Sequence, residues 1–158
     1  MNPNDMTNLK RILVLGLGNV LMRDEGAGIE VVKWLEKNTL PSDVELVDGG
    51  TGGFHLLGLF TGYERVILID AALTNDEAGV VKLIRPRFAS DFPRVLSTHD
   101  IGLRDLIESA YLLEKVPEIW LVTISVKDFQ EMGIGLSESI RAAVPIAANE
   151  VLKLLEKE

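Results

Sequence analysis

The order of apolar runs and turn signals in this 158-residue chain predicts an α/β fold of three layers, α/β/α, around a mostly parallel sheet of about five strands with one antiparallel member, the fourth. Three observations carry that prediction. Runs rich in Val, Ile and Leu, of the kind that form strands buried on both faces, recur at 11–17, 65–70 and 118–126. Stretches with apolar residues at helical spacing lie between and after them. The link that follows Asp70 is too short to return the chain for a parallel strand, which needs a crossover of roughly a dozen residues or more.

Residues 1–9, polar and without apolar periodicity, read as a flexible N-terminal tail ahead of a single domain spanning 10–158. "RILVLGL" (11–17) is the first strand. After a glycine-rich loop, Ile29, Val32 and Leu35 recur at helical spacing to about Asn38, and Pro41 blocks continuation. "VELVD" (44–48) is the second strand, closed by "GGTGG"; "FHLLGLF" (54–60) suits a short helix that Gly58 weakens; "RVILID" (65–70) is the third strand. "AALTNDEAG" is turn chemistry, so "VVKLIRP" (80–86) follows as the antiparallel fourth strand. "RFASDFPRVLST" reads as loop, and 100–114 as an amphipathic helix with Leu103, Leu106, Ile107 and Ala110 on one face. "EIWLVTISV" (118–126) is the fifth strand. Ser137 is placed to cap a last helix whose buried face holds Ile140, Val144, Ala147, Val151 and Leu154, with Pro145 expected to kink or restart it.

Composition narrows the function. A net charge of −8 with no Lys/Arg cluster argues against nucleic-acid binding. The absence of cysteine removes a thiol nucleophile, a Cys-based zinc site and disulfides. The N-terminus lacks a secretion signal and no run reaches a membrane span, so no membrane insertion and a cytoplasmic location are expected.

Ligand sites in open α/β sheets lie beyond the carboxyl ends of the strands. There the chain presents Asn19, Asp24 and Glu25 after the first strand, Asp48 after the second, Asp70 at the end of the third, His99 at the start of a helix, and Lys127 and Asp128 after the fifth. Carboxylates with one imidazole suit a divalent cation of the zinc, nickel, manganese or iron type. Each residue also has an ordinary explanation. Glu25 fits a helix first turn, Asp48 and Asp70 fit Asx turns, and His99 fits a cap. The loop "LGLGNVLMRDEGAG" (15–28) starts like a dinucleotide fingerprint, but Leu21 stands where the third glycine belongs and two acids face the place of the phosphates. A nucleotide enzyme is therefore one alternative. A second is a receiver-like phosphoacceptor module using Asp24, Glu25, Asp70 and Lys127, although the glycines at 49–53 have no role in it. His55 reads as structural or surface, and Trp34 and Trp120 as core.

Taken together, "GLGNVLMRDEGAG", "VDGGTGG", "LIDAAL", "STHDIGL" and "GIGLSESI" resemble, in that order, the hydrogenase maturation proteases, from about residue 11 to the final helix. The resemblance implies an endopeptidase that removes the C-terminal extension of the [NiFe]-hydrogenase large-subunit precursor. It implies Glu25, Asp70 and His99 as metal-contacting residues, Asp48 as the catalytic acid beside the glycine run, and nickel as an ion borne by the substrate. A monomer is expected.

Overall fold

A computed structural model describes residues 11–51, 54–87, 91, 94–95, 103–128 and 131–157. The expected tail (1–9) and His99 lie outside the described residues. Six strands form one sheet: β1 (Ile12–Leu17), β2 (Val44–Gly50), β3 (Arg65–Leu73), β4 (Val81–Ile84), β5 (Arg94–Val95) and β6 (Glu118–Val126). The main path has five of them in the order β2-β1-β3-β6-β4, and the two-residue β5 pairs with β3. β1 is parallel to β2 and β3, and β3 is parallel to β6. β4 runs antiparallel to β6, as the short link from β3 requires. β5 is also antiparallel, pairing Ala72 and Leu73 of β3 beyond the point where β1 stops. It lies in a stretch expected to be loop; two residues carry no alternation that a sequence pattern can register.

The helices are α1 (Ala27–Glu36), α2 (Leu103–Ala110) and α3 (Glu138–Glu156), with 3-10 turns at Arg23–Gly26 and Phe54–Phe60. The described helix α2 ends at Ala110, short of the expected residue 114, and 111–114 form a turn. α3 runs as one helix through Pro145, with no restart. The alternation of strand side chains sorts the core in two. Ile12, Val14, Ile67, Ile69, Val122 and Ile124 pack with α1 and α3 on one face. Leu13, Leu15, Leu17, Val66, Leu68 and Leu121 pack with α2 and Phe60 on the other. The helical faces expected of α1, α2 and α3 are all buried. No helix among the described residues is long and apolar enough to cross a membrane.

The glycines of the first loop serve this packing. A Cβ on Gly28 would stand 2.3 Å from the carbonyl oxygens of both Leu17 and Ile69, so only glycine lets the start of α1 sit directly on β1 and β3. A Cβ on Gly16 would meet the Gly28 carbonyl at 2.5 Å. The two glycines of the apparent G-x-G fingerprint are packing contacts, Gly16 against α1 and Gly18 against the 3-10 turn that precedes it.

Candidate active site

Asp48, Glu25 and Asp70 reach their positions by different routes. Asp48 stands near the C-terminal end of β2, the edge strand, and is exposed. Its Oδ1 accepts the backbone N–H of Gly50 at 2.9 Å, an Asx-type closure of the strand. Gly50, at φ +55°, accepts the N–H of Gly18 at 2.9 Å, so the bulged end of β2 is tied to the first residues of the β1 loop.

Glu25 is buried in the 3-10 turn between β1 and α1. The turn is closed by the N–H of Asn19 on the Glu25 carbonyl (3.1 Å) and the N–H of Glu25 on the Met22 carbonyl (3.1 Å). A Cβ on Gly18, at φ +151°, would come within 2.1 Å of the Glu25 carbonyl oxygen. The turn lies against β3. Gly28, three residues on, abuts the Ile69 carbonyl, the residue before Asp70.

Asp70 has no accessible surface at all. The expectation that β3 ends there is corrected: the strand continues to Leu73, because β6 extends alongside and pairs Asp70 with buried Thr123 and Leu73 with Val126. By alternation Asp70 shares the face of Val66 and Leu68, against which α2 packs. α2 begins four residues after His99. The structure does not bring Asp48 to Asp70. Asp48 is in register with Gly16 and, through it, with Ile69, two strands and about 10 Å away. It faces the side of Val44, opposite to Asp70. Among the described residues no three His, Cys, Asp or Glu form a metal-holding group.

Two residues grouped with this rim have other duties. Asp24 caps α3: its Oδ1 accepts the N–H of Ser137 at 2.7 Å and its Oδ2 accepts the Ser137 hydroxyl at 2.8 Å. Ser137 occupies the expected N-cap position but makes no side-chain cap bond of its own. Lys127 pairs with Glu77 at 3.0 Å on the surface. The phosphoacceptor reading thus loses one of its acids and its lysine, and Asp70 does not stand at a strand end. Nothing local in the sequence announces the Asp24–Ser137 contact, which joins residues 113 positions apart. His55 is exposed, as read.

A model of the hydrogenase maturation protease family matches residues 29–154. The chain is 33% identical over 150 residues to the hydrogenase 2 maturation protease of Escherichia coli K12, covering 93% of this chain and 92% of that one. It is 30% identical over 151 residues to the hydrogenase expression/formation protein HupD of Rhizobium leguminosarum, covering 92% of this chain and 74% of that protein. Its fold is similar to the hydrogenase maturating endopeptidase HybD of E. coli, with a TM-score of 0.82 at 33% identity over 93% of each chain. It is also similar to the [NiFe] hydrogenase maturation protease HybD of Thermococcus kodakarensis, with a TM-score of 0.74 at 27% identity over 92% of this chain and 99% of that one. With its topology, its glycine-packed first loop and matches over nearly its whole length, the chain belongs to the hydrogenase maturation proteases, a family of peptide-bond hydrolases.

Proposed function

We propose that this chain hydrolyses one peptide bond near the C-terminus of a [NiFe]-hydrogenase large-subunit precursor, and that it recognises the precursor through the nickel already inserted there. The observation that carries the reading is the pair of buried carboxylates, Glu25 and Asp70, on two segments in direct contact. Buried carboxylates belong with a cation or with hydrogen-bond donors. Their hard oxygens, joined by an imidazole from His99 just upstream of α2, are a donor set that nickel accepts and that leaves positions for substrate ligands. The substrate's nickel supplies Lewis acidity and a docking point.

The chain's own residues do the rest. Glu25 and Asp70 hold charge where the precursor docks, in a setting where burial strengthens the attraction. Asp48, at the open edge of the sheet and anchored by the Gly50 N–H, keeps acceptor capacity on Oδ2 to orient a water or the peptide. Its separation from Asp70 suits a base that takes a proton from the attacking water rather than a third ligand.

Incubation with nickel-loaded and nickel-free precursor, read by mass spectrometry, tests this. The loaded precursor is expected to lose its C-terminal segment and the nickel-free one to stay intact; cleavage of both at one rate would refute nickel recognition. Glu25→Gln and His99→Ala are each expected to cut processing by about a hundredfold or more, given that even outer-shell changes at metal sites cost 10–100-fold. Wild-type rates in either would remove that residue from the site.

A further inference from the structure

A groove of about 640 Å³ runs between α1, the N-terminal half of α3 and the two loops at 20–23 and 134–136. Its floor and walls include Leu21, Trp34, Ile134 and Pro145. Leu21 is 55% exposed and Ile134 85% exposed. Large apolar side chains this exposed along one groove are what protein-interaction surfaces present. The two loops are locked together: Arg23 donates its N–H to the Gly133 carbonyl at 3.0 Å and Gly133 donates to the Leu21 carbonyl at 2.8 Å. The apolar rim is therefore built, not a loose tip.

Charge gives the groove its selectivity. The chain carries a net −8, yet the groove is lined by four cations, Arg23, Lys33, Lys37 and Arg141, and one carboxylate, Glu30. Glu30 pairs with Lys33 at 3.1 Å. Arg23 and Lys37 make no ion pair among the described residues. Arg23 is also the one described non-glycine residue with positive φ, +50°. That conformation is disfavoured for an arginine and is retained where the surroundings impose it, often at binding sites. Arg23 stands two residues before Glu25, so the groove adjoins the candidate active site.

We propose that this groove docks an acidic, apolar peptide segment of the precursor, apart from the bond that is cut. The occupant follows from complementarity: carboxylates for Arg23, Lys37 and Arg141, the three cations that Glu30 does not pair, and apolar side chains for Leu21, Trp34 and Ile134. The proposal rests on the function proposed above for its choice of partner, and not for the chemistry of the groove.

The test uses two synthetic peptides of about a dozen residues, one of Asp, Glu, Leu and Phe and one with Lys replacing every acid, titrated calorimetrically into the full chain. The acidic peptide is expected to bind, and more weakly as salt rises from about 0.05 to 0.3 M. The basic peptide is expected not to bind. Lys37→Glu with Arg141→Glu is expected to weaken the acidic peptide by about tenfold or more. Lys115→Glu, an exposed site off the groove, shifts net charge in the same direction by half as much and is expected to leave affinity within about twofold. Equal binding of both peptides, or an affinity that the double variant does not move, overturns the proposal. With nickel-loaded precursor the double variant is expected to raise KM. Precursor cleavage with KM unmoved defeats the docking site alone. Failure of the wild-type chain to cut any precursor, with the acidic peptide still bound as described, defeats the functional reading alone.

Discussion

Asp24 and Glu25 are neighbours in one 3-10 turn and do unrelated work. The Asp24 carboxylate reaches across the fold to satisfy the N–H and hydroxyl of Ser137, where the free N–H groups of a helix start attract negative charge. Asp24→Ala is expected to cost about 2 kcal/mol, since hydrogen bonds to a charged group contribute roughly 1.5–3 kcal/mol each and loss of a cap about 0.5–2. Asp24→Asn, which keeps one acceptor, is expected to cost less. Urea denaturation checks both, with the midpoint falling and the slope unchanged. Asp24, read from the sequence only as a rim acid after the first strand, instead serves a helix start 113 residues away.

At the scale of elements, α3 is held at both ends by charges from elsewhere. Arg65, the buried first residue of β3, donates from Nη1 to the carbonyls of Leu154 and Lys157 at 2.8 Å each and pairs through Nη2 with Glu118 at 3.3 Å. An acid at the N-terminus and a base at the C-terminus both oppose the helix dipole. Arg65→Met is expected to leave those carbonyls unmet in a buried setting, at about 1–3 kcal/mol. Faster hydrogen exchange in the last turn of α3, with the rest of the helix protected, is the expected signature. Unchanged exchange there would show that the clamp does not hold the helix end. The same clamps account for Pro145: a helix fixed at both ends and buried along Ile140, Ala147 and Val151 keeps its course despite one missing N–H.

For the whole molecule, the dependence of stability on pH has two limbs. Burial alone would raise the Glu118 carboxyl, but the Trp120 indole N–H, Arg65 and Arg85 together hold it below its ordinary 4.5. The bond from Lys82, joined by Thr74, holds Asp76 below its ordinary 3.8. Both groups are charged more easily folded than unfolded. Their contribution is present above the ordinary carboxylate range and is lost as pH falls through it. Tyr63 has the opposite sign. Burial first, then its hydrogen bond to Glu45 and that residue's charge, push the phenol from 10.0 to about 12. Its contribution is intact below 10.0 and is lost as pH rises toward about 12. Denaturation measured across pH is expected to give a plateau with an acid and an alkaline fall, and Tyr63→Phe is expected to flatten only the alkaline one.

Local periodicity, link length and a motif at fixed spacing suffice to read, from residues alone, the order of β1 to β4, β6 and the helices, the buried faces of α1, α2 and α3, the antiparallel β4 and the family. The packed fold was needed to show that the two-residue β5 joins the sheet, that Asp24 binds the start of α3, that Lys127 pairs with Glu77, that β3 runs on past Asp70, and that Asp48 faces away from it. Those outcomes depend on which strand lies alongside and how far it extends. Alternation then assigns each side chain to a face, and no residue's near neighbours in sequence record that pairing.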